Sequence, residues 1–204
     1  MREGQFDAPA FRRGWSINPP MVSQARGDRR LDVTERRESL RPPELEELLE
    51  KLESQRGQLV GQARQMTDEE AGHRPSERDW SAKEQLLHLV TFERQWLEWA
   101  MTVRDEPGSE VGPPPPNPEA YPEAQTRSLD DVLLELATAR SDTLAAIEGL
   151  TTEELQQRGR HLLFGEMSVL QMLRTLYRHD RMHMDQIAGR ETSFRPDASG
   201  GSGS

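Results

Sequence analysis

The chain has 204 residues, carries 26 Lys and Arg against 36 Asp and Glu for a net charge of −10, and contains no cysteine. That excludes a disulfide framework, a thiolate metal site and a cysteine nucleophile, and the acidic excess argues against nucleic acid as a partner. No apolar run approaches the roughly 20 residues needed to span a bilayer, so the expectation is a soluble cytoplasmic protein with no membrane contact.

Residues 1–40 lack a sustained apolar period and are rich in Arg, Pro, Gly, Ser and Asp. They read as a disordered N-terminal arm, with Phe11 and Trp15 as residues that could dock, and with no apolar core of a secretory signal. Through residue 41 there are nine arginines against six acids, a mild basic excess interleaved with acids.

Residues 41–190 read as one all-α domain, a four-helix bundle. The first helix opens at Pro42-Pro43, where proline suits a first turn, and runs to about Met66. Thr67-x-x-Glu70 marks a short capped turn. The second helix starts at Ser81 with Glu84 in the capping-box place and continues to about Val103. A long proline-rich crossover over residues 106–127 includes four consecutive prolines, which favour an extended strap. A connection of that length lets the third helix run parallel to the second. The third helix starts at Ser128 with Asp131 three residues on, and Thr151-x-x-Glu154 marks another capped turn. The fourth runs from Ser168, with Gln171 in the capping place, to about Gly189, a C-terminal stop. No segment shows strand-like alternation. Residues 191–204 read as a flexible tail.

Chemistry concentrates in YRHDRMHMDQI, residues 177–187. His179 and His183 are one helical turn apart and form a stripe with Met172, Leu176 and Ile187 within about 80° of the wheel. Two imidazoles at this spacing can chelate one metal ion; they can equally border a core and bond to neighbours. His88 on the second helix could face them, and three neutral nitrogens with a fourth position open compose a catalytic metal site. On the wheel, however, His88 lies away from the apolar centre of Leu86, Leu89, Val90, Leu97 and Ala100. It sits beside Glu84, Phe92, Gln95 and Trp99, so this second face must also be covered for His88 to be buried.

Thr67-Asp68-Glu69-Glu70, Arg74-Pro75, Trp80-Ser81, His88-Leu89 and the terminal His179-x3-His183-x2-Gln186-Ile187, taken in order, resemble the DinB/YfiT-like four-helix-bundle superfamily over roughly residues 43–190. The resemblance implies one divalent metal, nickel or zinc, held by His88, His179 and His183. It also implies a homodimer and chemistry on a small-molecule substrate. Relatives include transferases of low-molecular-weight thiols, thiol-dependent isomerases and hydrolases of genotoxic metabolites.

A cation with an open position would let a thiol or water lose its proton at neutral pH. Without cysteine, the thiol must arrive as a cosubstrate. Asp180 and Glu84 are the candidate catalytic carboxylates, and Gln186 a candidate to orient an imidazole. Asp180 falls near the middle of the apolar face and needs a partner there, either a ligand histidine or an arginine such as Arg140. Phe92, Trp99 and Tyr177 are candidate pocket walls, although aromatic residues at helical spacing, Trp96 and Met101 among them, ordinarily pack a bundle. His73 and His161 fall in loops, where exposed histidines are ordinary, with His161 able to line a pocket mouth beside Phe164.

His179-Asp180-x-x-His183 departs from the HExxH peptidase motif, because the acid is one methylene shorter and no third histidine follows. Phosphate-loop, GxSxG and dinucleotide fingerprints are absent from the sequence. The leading expectation is therefore a metal-dependent enzyme transferring a small thiol to an electrophile. A metabolite-detoxifying hydrolase and a non-catalytic ligand-binding or dimeric bundle are the alternatives.

Overall fold

The first helix opens at Pro42 without a side-chain cap, and serine and threonine side chains set where the later α-helices begin. Ser81 Oγ accepts from the Glu84 amide while Glu84 returns a carboxylate oxygen to the Ser81 amide at 2.8 Å. Ser168 and Gln171 make the same exchange, as do Thr67 with Glu70 and Thr151 with Glu154. Each satisfies amides that a helix start leaves without partners. In the computed structural model, which describes residues 41–112 and 121–190, the resulting helices are α1 (Pro43–Ala63), α2 (Asp68–Gly72), α3 (Ala82–Asp105), α4 (Leu129–Ile147), α5 (Thr152–Gln156) and α6 (Val169–Ile187). The N-terminal arm, the four prolines of the crossover and the C-terminal tail lie outside the described residues. No helix among the described residues is long and apolar enough to cross a membrane.

The four long helices form a bundle whose directions follow from their contacts. Lys83 of α3 donates to the Arg127 carbonyl just before α4, and Arg94 meets Glu135 further along both helices, so α3 and α4 run the same way. The crossover between them makes this parallel placement accessible. Gln85 and His88 of α3 face His183 and His179 of α6 in reverse order, so those two are antiparallel.

One side chain from each long helix meets at mid-height. Arg56 (α1) grips Asp180 (α6) through Nε at 3.1 Å and Nη2 at 2.8 Å, and reaches Glu93 (α3) at 2.5 Å. Arg140 (α4) donates to Glu93 at 2.7 Å and to Asp180 at 3.0 Å. All four are at most 5 % exposed. Two positive and two negative charges neutralise one another, and the remaining guanidinium donors bond to the Leu52 and Leu136 carbonyls. This layer separates two apolar clusters. One gathers Leu59, Leu86, Leu89 and Leu136, and the other gathers Leu45, Val103, Ile147 and Leu173.

The helical bundle carries an addition the hydropathy pattern does not announce. Strands β1 (Glu110–Val111), β2 (Arg158–His161) and β3 (Gly165–Ser168) form a small sheet in the order β1-β2-β3, parallel then antiparallel. Burial in β2 does alternate, but its buried positions are Gly159 and His161 rather than aliphatic residues, so period two leaves no mark on hydropathy. Glycine is required at 159. A Cβ there would stand 2.4 Å from Val103 Cγ2 and 2.9 Å from the Ser109 carbonyl.

Candidate metal centre

The first turns of α3 are buried all round, from Ala82 to Val90. The second face of this helix is covered by Trp80 and by Tyr121, which crosses back from the loop before α4. His88 is therefore only 8 % exposed. Its ring centroid stands 5.0 Å from that of His179 and 5.1 Å from that of His183. On α6 the two histidines present Nε2 atoms to each other at 3.0 Å. One nitrogen from each of the three rings lies within 4.8 Å of the other two.

The opposite nitrogens have their own partners. His183 Nδ1 stands 3.1 Å from Gln85 Oε1, and His88 Nδ1 stands 3.1 Å from the Tyr121 hydroxyl. Gln186 also interacts with the His183 ring. His179 Nδ1 is buried without a hydrogen-bond partner. Burial pushes His88 down to about 4. Burial, then the adjacent His88 and Arg56, push His179 down to about 3. His183 lies well below its ordinary value, through burial first and its histidine neighbours next. Near neutral pH all three rings are uncharged, the form that offers lone pairs to a metal. Burial also raises Tyr121 to about 12, so its phenol keeps its proton.

This donor set fits a divalent cation. Nitrogens about 2.1 Å from a shared tetrahedral centre stand roughly 3.4 Å apart. The 3.0 Å approach of two imidazole nitrogens is close to that separation. The third ring closes the group from another helix.

The other expected site residues are placed differently. Asp180 lies in the four-helix ion layer, with both carboxylate oxygens held by Arg56 and Arg140. Of the two partners expected for Asp180, a ligand histidine or an arginine, the arginine is the one it meets. Glu84 is engaged by the Ser81 amide and the Arg74 guanidinium. Phe92 does wall the centre, its ring centroid 3.7 Å from that of His179. Trp99 packs on Trp96 and His161 instead. Tyr177 faces α1, where the Lys51 ammonium stands over its ring, because two residues on a helix turn the side chain by about 200° from His179. His161 is fully buried in β2 rather than exposed in a loop, stacked on Trp96 at 5.1 Å. His73 is exposed as expected.

Gln85 and Tyr121 are the contacts that the sequence reading missed. Gln85 precedes His88 by three residues and so shares its helix face, a usable signal. Tyr121 sits beside the proline-rich stretch, and nothing local marks it.

The sequence profile of the DinB superfamily matches residues 52–187, more than half of the chain. The chain belongs to the DinB superfamily. The DinB match spans all three histidines, the second half of α1 and the whole of α3, α4 and α6. Among solved structures, YfiT from Bacillus subtilis is described as a probable metal-dependent hydrolase with an unusual four-helix-bundle topology. It aligns with a TM-score of 0.61 at 15 % identity, over 71 % of this chain and 84 % of that one. A DinB-like protein from Bacillus subtilis aligns with a TM-score of 0.50 at 17 % identity, over 70 % and 87 %. At these identities the likeness is one of fold. No curated protein matches the chain.

Proposed function

We propose that this DinB-superfamily chain is a divalent-metal-dependent enzyme acting on small electrophilic molecules, with a low-molecular-weight thiol as the transferred group. The convergence of three neutral imidazole nitrogens from α3 and α6 carries the reading. His88, His179 and His183 would hold the cation, nickel or zinc. Bound there, a divalent cation supplies the positive charge that lets a thiol or water give up its proton near neutral pH.

The chain's own residues do the rest. Gln85 and Tyr121 lie at hydrogen-bonding distance from His183 and His88. Phe92 lies against His179 and keeps water from that side. A cleft of about 120 Å³ is lined by Trp80, Arg190 and the two residues that contact His183, Gln85 and Gln186, among others, and offers room for a small ligand. Asp180 and Glu84 are held in ion pairs with arginines. The absence of cysteine means that any thiol nucleophile must be brought by a cosubstrate. A homodimer forms part of the proposal and is read by light scattering.

Metal analysis of the purified protein beside His183→Ala tests the reading. Metal in the wild type and its loss in the variant are expected; no metal in either overturns it. Hydrolysis is the second reading, favoured by the fold shared with YfiT, itself described as a probable metal-dependent hydrolase. Turnover that requires added thiol supports transfer, whereas turnover without thiol supports hydrolysis.

A further inference from the structure

Two hydrogen bonds on one amide carry information about the neighbouring imidazole. Gln85 Nε2 donates to the Trp80 carbonyl at 3.2 Å, and Gln85 Oε1 lies 3.1 Å from His183 Nδ1. Flipping the amide would set its oxygen against the Trp80 carbonyl, two acceptors face to face. Only one orientation satisfies both contacts, with the NH2 group on Trp80 and the oxygen toward the ring. An oxygen there can only accept, so His183 Nδ1 must carry the proton. A neutral imidazole has one ring proton, and His183 Nε2 is therefore left as a bare lone pair. That atom is the one facing His179 Nε2 at 3.0 Å.

We propose that Gln85 is a positioning residue that fixes the tautomer and ring plane of His183, so that its Nε2 lone pair is committed to the shared centre before any cation arrives. The inference rests on the metal reading above and adds to it a residue and a role. The construction is rigid at both ends. Gln85 is 7 % exposed, His183 is fully buried, and the Trp80 carbonyl belongs to the residue before the Ser81 helix cap. The α3 N-terminus thereby sets the angle of an imidazole on α6. Gln85 is neutral, so His183 gains an oriented acceptor without a negative charge beside it.

Gln85→Leu removes both hydrogen bonds and leaves the Nδ1 proton without its acceptor. Gln85→Glu keeps an acceptor for Nδ1 but sets a carboxylate oxygen against the Trp80 carbonyl where the amide donated, so the Trp80 contact is lost. The two variants thus separate the role toward His183 from one limited to bracing the Trp80 loop. Titration of metal-free wild type and both variants with cobalt(II), followed by its visible absorption, reads affinity and coordination together. Gln85→Leu should bind about 10–100-fold more weakly with an altered spectrum. Gln85→Glu should bind within a few-fold of wild type with the wild-type spectrum. The thermal midpoint of metal-free Gln85→Glu, measured alongside, reports the bracing role separately. If wild type binds but Gln85→Leu binds equally well with an unchanged spectrum, the assignment of Gln85 is overturned while the metal reading stands. It is likewise overturned if Gln85→Glu weakens as much as Gln85→Leu, since the Trp80 contact would then be what matters. If wild type takes up no cobalt, both readings fall together.

Discussion

His179 and Asp180 are neighbours in the chain but serve different structures. His179 turns its Nε2 to His183 at 3.0 Å, while Asp180 turns toward Arg56 and Arg140 and closes the ion layer that ties all four long helices. One helix turn thus contributes both to the candidate metal centre and to the polar layer beside it. The angular setting of α6 is held by charge on one side and read out by imidazoles on the other.

The ion layer should therefore be costly to break and less costly to replace. Asp180→Ala leaves two buried guanidinium groups short of a counter-charge and should lower stability by about 3–5 kcal/mol. Replacing Arg56, Glu93, Arg140 and Asp180 together by apolar residues of similar size should recover most of that loss. Urea denaturation of the two variants measures the difference, and equal losses would contradict it.

Acid should unfold the protein partly through Glu93. Burial alone would raise this carboxyl, but Arg56 and Arg140 hold it below its ordinary value. Its folded value is thus below the unfolded one near 4.3. The stabilisation it contributes is fully present above about pH 4.3 and is lost as pH falls through the folded value. Urea midpoints between pH 7 and pH 3 should fall more steeply for wild type than for Glu93→Gln, which starts lower and varies less.

Tyr121→Phe keeps the ring that packs edge-on against Trp80 and removes only the hydroxyl at His88 Nδ1. Metal affinity should drop by about 10-fold with little change in the thermal midpoint of the metal-free protein. Calorimetric titration with zinc would show it, and an unchanged affinity would mean that His88 needs no partner there.

Two glycines should respond in opposite directions to alanine. At Gly159 the new methyl group would meet Val103 and the Ser109 carbonyl, costing about 1–3 kcal/mol. At Gly57, inside α1 with nothing within 4 Å of the added atom, alanine should stabilise by about 0.4–1 kcal/mol. Thermal unfolding of each variant compares them directly.

The helix starts were legible in the sequence because a cap is a local event: Ser81, Ser128 and Ser168 bond to amides only three residues away. The His179–His183 pair was legible for the same reason, since four residues make one turn whatever surrounds them. Tertiary structure alone decided that His88 is buried, because its covering rings, Trp80 and Tyr121, come from outside its own helix. It also decided that Asp180 pairs with arginines rather than with a histidine, a choice made by residues 124 and 40 positions away. The small sheet was hidden because its inward positions are a glycine and a histidine, whose burial depends on Val103 and Trp96 arriving from α3. Local hydrogen bonding and periodicity are written along the chain, whereas desolvation and charge pairing exist only once distant segments have met.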